Sequence, residues 1–155
     1  MPPPGISGHR LTAHQAWPGS VANYRVGVMA TFEGGCHCGR VRMRVTGDLD
    51  ETIDCNCSIC TKKGFLHLIV PRDRFELLSG RDDLTTYRFN TGVAQHTFCR
   101  HCGIYAFYVP RSDPNKVSVN VRCLDGVDYR SITPKPFDGQ HWEQAMEDRR
   151  RSPTG

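Results

Sequence analysis

The pattern of apolar and polar positions from residue 34 onward reads mainly as β-strands. Val41, Met43 and Val45 are interleaved with Arg42 and Arg44, the pattern of a strand with one buried face. LHLIVP (66–71), TTYRF (85–89), AQHTF (94–98), IYAFYVP (104–110) and KVSVNVRCL (116–124) are further predicted strands. They are rich in β-branched and aromatic residues, and Gly, Pro, Asp and Asn separate them. HWEQAMEDRRR (141–151) has the composition of a helix, with acidic residues ahead of an arginine-rich end that suits the helix dipole. These elements predict a mainly β domain of small antiparallel sheets with a short C-terminal helix.

The first 28 residues follow a different pattern. They hold no acidic residue, four of the ten prolines and no sustained periodicity, and Met29 stands directly before ATFEGGCHCG. The expected organisation is a disordered extension or mis-assigned start over 1–28, a single domain over 29–146 and a basic tail over 147–155. At 155 residues, the chain has room for one domain with its own core. A formal charge of +4 adds only a mild basic bias. No apolar run is long enough to span a membrane, and the N-terminus has no apolar core of a secretion signal. A cytoplasmic location is the expectation.

Eight cysteines change the picture, because seven of them fall in tight groups: Cys36-x-Cys38, Cys55-x-Cys57-x2-Cys60 and Cys99-x2-Cys102. Cysteines one residue apart rarely reach disulfide geometry with each other but readily converge on one ion. Two short-spaced pairs from distant segments, Cys36 with Cys38 and Cys99 with Cys102, would make a closed four-thiolate structural zinc site. Gly39 and Gly103 follow the second cysteine of each pair, where positive φ suits the turn. Cys55, Cys57 and Cys60 form a separate set on a loop and the first turn of a helix, three ligands rather than four. Cys123, His67, His96 and His101 are candidates to close that set, each with a plainer role in the core or at the surface. An open fourth position is favoured, and that is what catalytic zinc keeps. Three thiolates favour capture of a soft incoming thiol over generation of a zinc hydroxide.

With these residues assembled, the chain resembles the glutathione-dependent formaldehyde-activating enzyme family, which includes centromere protein V. The matching pieces are GGCHCGRVR, CNCSICTKKG, HTFCRHCG, VSVNVRCLDG and FDGQHWEQA, running from about Gly34 to Ala145. The resemblance implies a β-tent zinc fold with two Zn2+ per chain. Cys36, Cys38, Cys99 and Cys102 would hold the structural ion, and Cys55, Cys57 and Cys60 the active-site ion. It also implies carbon–sulfur lyase chemistry that joins glutathione, or a similar thiol, to a small electrophile such as formaldehyde. The short span between Cys102 and FDGQHWEQA leaves the thiol itself less defined than the reaction class.

Lys62, Lys63 and Arg100 are the candidate contacts for a carboxylate on the thiol, with Arg72 and Arg111 behind them. Phe65 and Tyr105 could line a pocket, although core packing is the commoner role of such rings. Asn56 and Ser58, between the ligands, could hydrogen-bond the thiolates or cap the turn. The competing function is a non-catalytic zinc module that serves as a platform for protein or nucleic acid. Nucleic acid is disfavoured, because aromatic and basic residues are not interleaved as single-strand binders require.

Overall fold

The structure, a computed structural model, describes residues 27–152. The expectation for residues 1–28 therefore lies outside the described residues except at Gly27 and Val28. Strand β1 (Ala30–Gly35) and strand β2 (Arg42–Gly47) form an antiparallel hairpin, and β5 (Phe75–Ser79) pairs with the far side of β2. The alternation read from the sequence is realised in β2, where Met43 and Val45 are fully buried and the arginines face outward.

A second sheet has five strands in the order β10–β3–β4–β9–β8. These are β3 (Ile53–Cys55), β4 (Leu66–Pro71), β8 (Phe107–Tyr108), β9 (Lys116–Asn120) and β10 (Lys135–Phe137). All its pairs are antiparallel except β10 with β3, which run parallel. One face packs Leu66, Leu68, Val70, Val117 and Val119 onto Met43 and Val45 of the first sheet, forming the main core. The other face carries Ile53, Cys55, His67, Ile69 and Tyr108, which line a cavity. A strand read as 104–110 is reduced to Phe107–Tyr108, and KVSVNVRCL stops as a strand at Asn120. Asn120 ends it because its side chain accepts from Arg122 N–H and caps a 3-10 turn over Val121–Cys123.

Strands β6 (Leu84–Tyr87) and β7 (His96–Cys99) form a separate antiparallel pair. Helix α1 (Ser58–Lys63) is short, and helix α2 (Trp142–Arg151) closes the described chain, with Arg149, Arg150 and Arg151 of the expected basic tail on its last turn. The domain is thus mainly β, with small, chiefly antiparallel sheets and a short C-terminal helix. Among the described residues no helix is long and apolar enough to cross a membrane.

Candidate functional site

All eight cysteines are free thiols, and seven of them gather in two groups, each with its sulfurs within 4.8 Å of one another. The first group unites the turn of the β1–β2 hairpin, carrying Cys36 and Cys38, with the end of β7, carrying Cys99 and Cys102. The sulfur of Cys38 lies 3.5 Å from that of Cys36 and 3.7 Å from that of Cys99. A tetrahedron with Zn–S bonds of about 2.3 Å has edges of about 3.8 Å, so this donor set matches a four-thiolate metal ion in element and in size. Gly39 and Gly103 have φ of 78° and 74°, as their positions after each pair predict. Their N–H groups donate to the carbonyls of Cys36 and Cys99. Val41 N–H donates to Cys36 Sγ at 3.3 Å. Burial pushes the Cys36 thiol up to about 12, so four ionised sulfurs require a cation among them.

The second group is Cys55 at the end of β3, Cys57 just before α1 and Cys60 in the first turn of α1. Hydrogen bonds from the Cys55 and Cys60 thiols pull Cys57 down to about 2, and hydrogen bonds with Cys55 and Cys57 together with burial push Cys60 far up. Three sulfurs at this spacing hold one negative charge comfortably and three only around a cation, which fits a soft divalent ion. Among the described residues no histidine or carboxylate joins either group. Cys123 stands apart, donating to Tyr105 O, and His101 pairs with Asp83 at 2.7 Å. The three-cysteine set is therefore open on one side.

That side faces a cavity of about 490 Å³, within the range of small-ligand sites. Its floor is the five-stranded sheet, and one wall is the loop around Phe89 and Asn90. Another wall is α2 with Trp142 and Arg149. Arg111 also lines it, with its guanidinium 3.4 Å above the Trp142 ring and 3.0 Å from Glu143. Of the cations expected to contact substrate, Lys63 is drawn inward. Its ammonium lies 3.0 Å from His96 Nδ1 and 3.7 Å above the Tyr105 ring, and burial lowers it to about 8. Lysine only donates, so His96 Nδ1 accepts and its proton sits on Nε2. Lys62 is exposed, Arg100 is exposed beside the four-cysteine group, and neither lines the cavity. Arg72 is bound to Pro114 O. Phe65 is buried against His67 and Tyr108, as a core ring.

Asn56 reaches neither the thiolates nor a cap. Its side-chain amide donates to Asp138 Oδ1 and its oxygen accepts from Gln140 N–H, each at 3.0 Å. Its own N–H donates to Phe137 O, so the FDGQ segment grips the CNC loop at three points. Gly139 sits within this grip, and a Cβ there would lie 2.4 Å from Cys55 Sγ and 2.8 Å from Cys57 Cβ. The close approach of Gly139 to the cysteines escapes a reading of spacing, since it is 79 residues beyond Cys60.

A family model described as glutathione-dependent formaldehyde-activating enzyme matches residues 31–144. Among solved structures, the chain is similar to a crystal structure of a Rhodobacter sphaeroides protein determined in structural genomics. The two are 36% identical with a TM-score of 0.63, over 67% of this chain and 97% of that one.

Proposed function

Because this chain belongs to the glutathione-dependent formaldehyde-activating enzyme family, we propose that it is a zinc-dependent carbon–sulfur lyase, adding a glutathione-like thiol to formaldehyde or a similar small electrophile. The observation that carries the proposal is the three-cysteine set with no fourth protein ligand among the described residues, opening into a cavity of small-molecule size. Cys55, Cys57 and Cys60 would hold a catalytic zinc ion, and Cys36, Cys38, Cys99 and Cys102 a structural one. A zinc ion on three thiolates supplies a soft Lewis acid that accepts an incoming sulfur and lowers its pKa.

The rest of the work falls to the chain. Ile53, Ile69 and the Trp142 ring give the cavity an apolar lining beside the reacting atoms. His96, with its tautomer set by Lys63, has an N–H available to polarise a carbonyl oxygen. Arg111 and Arg149 bring positive charge to the α2 side of the cavity, where a substrate carboxylate would bind. Lys63 supports this through His96, whereas Lys62 and Arg100 would act only on a thiol long enough to leave the cavity. A cytoplasmic location suits eight free thiols.

Calorimetric titration of the zinc-loaded protein with glutathione tests the reading. Binding is expected for the wild-type protein and its loss for Cys57→Ser, with S-hydroxymethylglutathione forming once formaldehyde is added. Thiol binding unchanged in Cys57→Ser would sink the proposal. Arg111→Gln is expected to weaken glutathione by about tenfold, the range of one charge-assisted hydrogen bond, while 2-mercaptoethanol binds as before. An equal loss for both thiols would show that Arg111 acts only by packing on Trp142.

A further inference from the structure

One polar atom in this cavity is left over by everything above. His67 lies on β4 with 4% of its surface exposed, and its Nε2 is buried with no hydrogen-bond partner. A buried nitrogen without a partner is unfavourable, so a group that belongs there is expected. Strand alternation sends Leu66 and Leu68 into the core and His67 to the opposite face, where it lines the cavity with the three cysteines. The other ring nitrogen is occupied. Nδ1 lies 3.1 Å from Ser118 Oγ and 3.4 Å from the Tyr108 hydroxyl, both buried. Phe65 packs against the ring at 4.7 Å between centroids and Tyr108 at 5.7 Å. The imidazole is therefore held on several sides, in a residue that lines the cavity, with its Nε2 unpartnered. In the tautomer whose Nδ1–H donates to Ser118 Oγ, Nε2 is an acceptor, which is the form a general base needs and the one the proposal uses.

We propose that His67 is a catalytic residue that carries the thiol proton to the aldehyde oxygen. This rests on the thiol–aldehyde reading given above. The thiol S–H yields its proton to Nε2, and the sulfur lone pair forms the C–S bond as the carbonyl π bond opens onto oxygen. Nε2 then returns the same proton to that oxygen. The product is the neutral hydroxymethyl thioether, the ring ends as it began, and no oxidant or reductant is consumed. The reverse sequence, with His67 taking the hydroxyl proton, releases aldehyde and thiol. His96 is its complement: it presents N–H where His67 presents a lone pair.

The substitution that tests this is His67→Asn, which places an amide near the Nδ1 position beside Ser118 and removes Nε2. The expected result is a fall in kcat of about 100-fold or more, the range for general acid–base catalysis, with KM and Kd for glutathione within twofold of wild type and metal content unchanged. His67→Gln, which puts a non-basic amide near the Nε2 position, is expected to be equally slow. In wild-type protein carrying 15N-histidine, the Nε2 signal of His67 is expected to shift on glutathione binding while that of His101, bound to Asp83, stays in place. A kcat within threefold of wild type in His67→Asn, loss of bound metal in that variant, or a stationary His67 signal with glutathione bound would each overturn the role. A wild-type protein that binds glutathione yet forms no adduct with formaldehyde would remove the reaction and the role with it. An active wild type with an active His67→Asn removes the role alone.

Discussion

Replacing Cys99 with serine is expected to unfold this domain or bring it to the edge of unfolding. Cys99 is almost wholly buried in a small cluster with Cys36 and Val41, and partly buried Leu77, Leu84 and Phe107 complete it. The β6–β7 pair joins the first sheet through this cluster and the Gly80 turn, and the second through the Gln95–Val109 bridge. An isolated two-stranded pair is marginal in water, and Tyr87, Phe89 and Val93 remain exposed at or near this one. An ion held by sulfurs 63 residues apart in the chain, those of Cys36 and Cys99, would tie this pair to the first hairpin. Structural zinc contributes on the order of 10 kcal/mol to small zinc domains, comparable to the whole stability of a domain of this size. Circular dichroism of Cys99→Ser should therefore show lost β structure, and chelator treatment of the wild type should produce the same spectrum. A melting temperature within about 3 °C of wild type would end the structural role of this group.

Gly139→Ala is expected to have an equally large effect on activity with far less on the fold. The added methyl would fall 2.4 Å from Cys55 Sγ, with Cys57 Cβ and its backbone N–H also in the way. The backbone has little room to give, because Asn56 ties this turn down on both sides through Asp138 and Gln140. The relief is displacement of the thiolates themselves, which spoils the three-sulfur geometry. Metal analysis should show bound zinc falling toward one ion per chain, with glutathione binding and adduct formation lost together. The main core lies on the opposite face of the sheet and the four-cysteine group is separate, so thermal unfolding should remain cooperative. Full metal content and full thiol binding in Gly139→Ala would show that the turn yields without cost. Asn56→Ala is the milder companion, since it loosens the grip without filling it.

The sequence by itself determined the division of the cysteines. Spacings of one and two residues confine sulfurs to one turn of chain, whatever the rest of the fold does, so Cys55, Cys57 and Cys60 had to converge together. The strands at Arg42–Gly47 and Leu66–Pro71 were equally readable, the first by its alternation and the second by its run of β-branched and other apolar residues. The helix at Trp142–Arg151 announced itself by composition. Strands of two or three residues, such as Ile53–Cys55 and Lys135–Phe137, are too short to display any period, and pairing with neighbours alone makes them strands. The tertiary structure alone decided what surrounds the open thiol set. The floor, the walls and the grip on the CNC loop come from β4, β8, α2 and FDGQ, separated by up to 84 residues, and no local spacing encodes such a meeting. That is why Lys62 and Arg100, adjacent to cysteines in sequence, face away from the cavity, while Arg111, Arg149 and His67 face into it. Neighbourhood along the chain constrains ligands that share a turn; the wall of a cavity is built by sheet pairing and burial, which act between segments far apart.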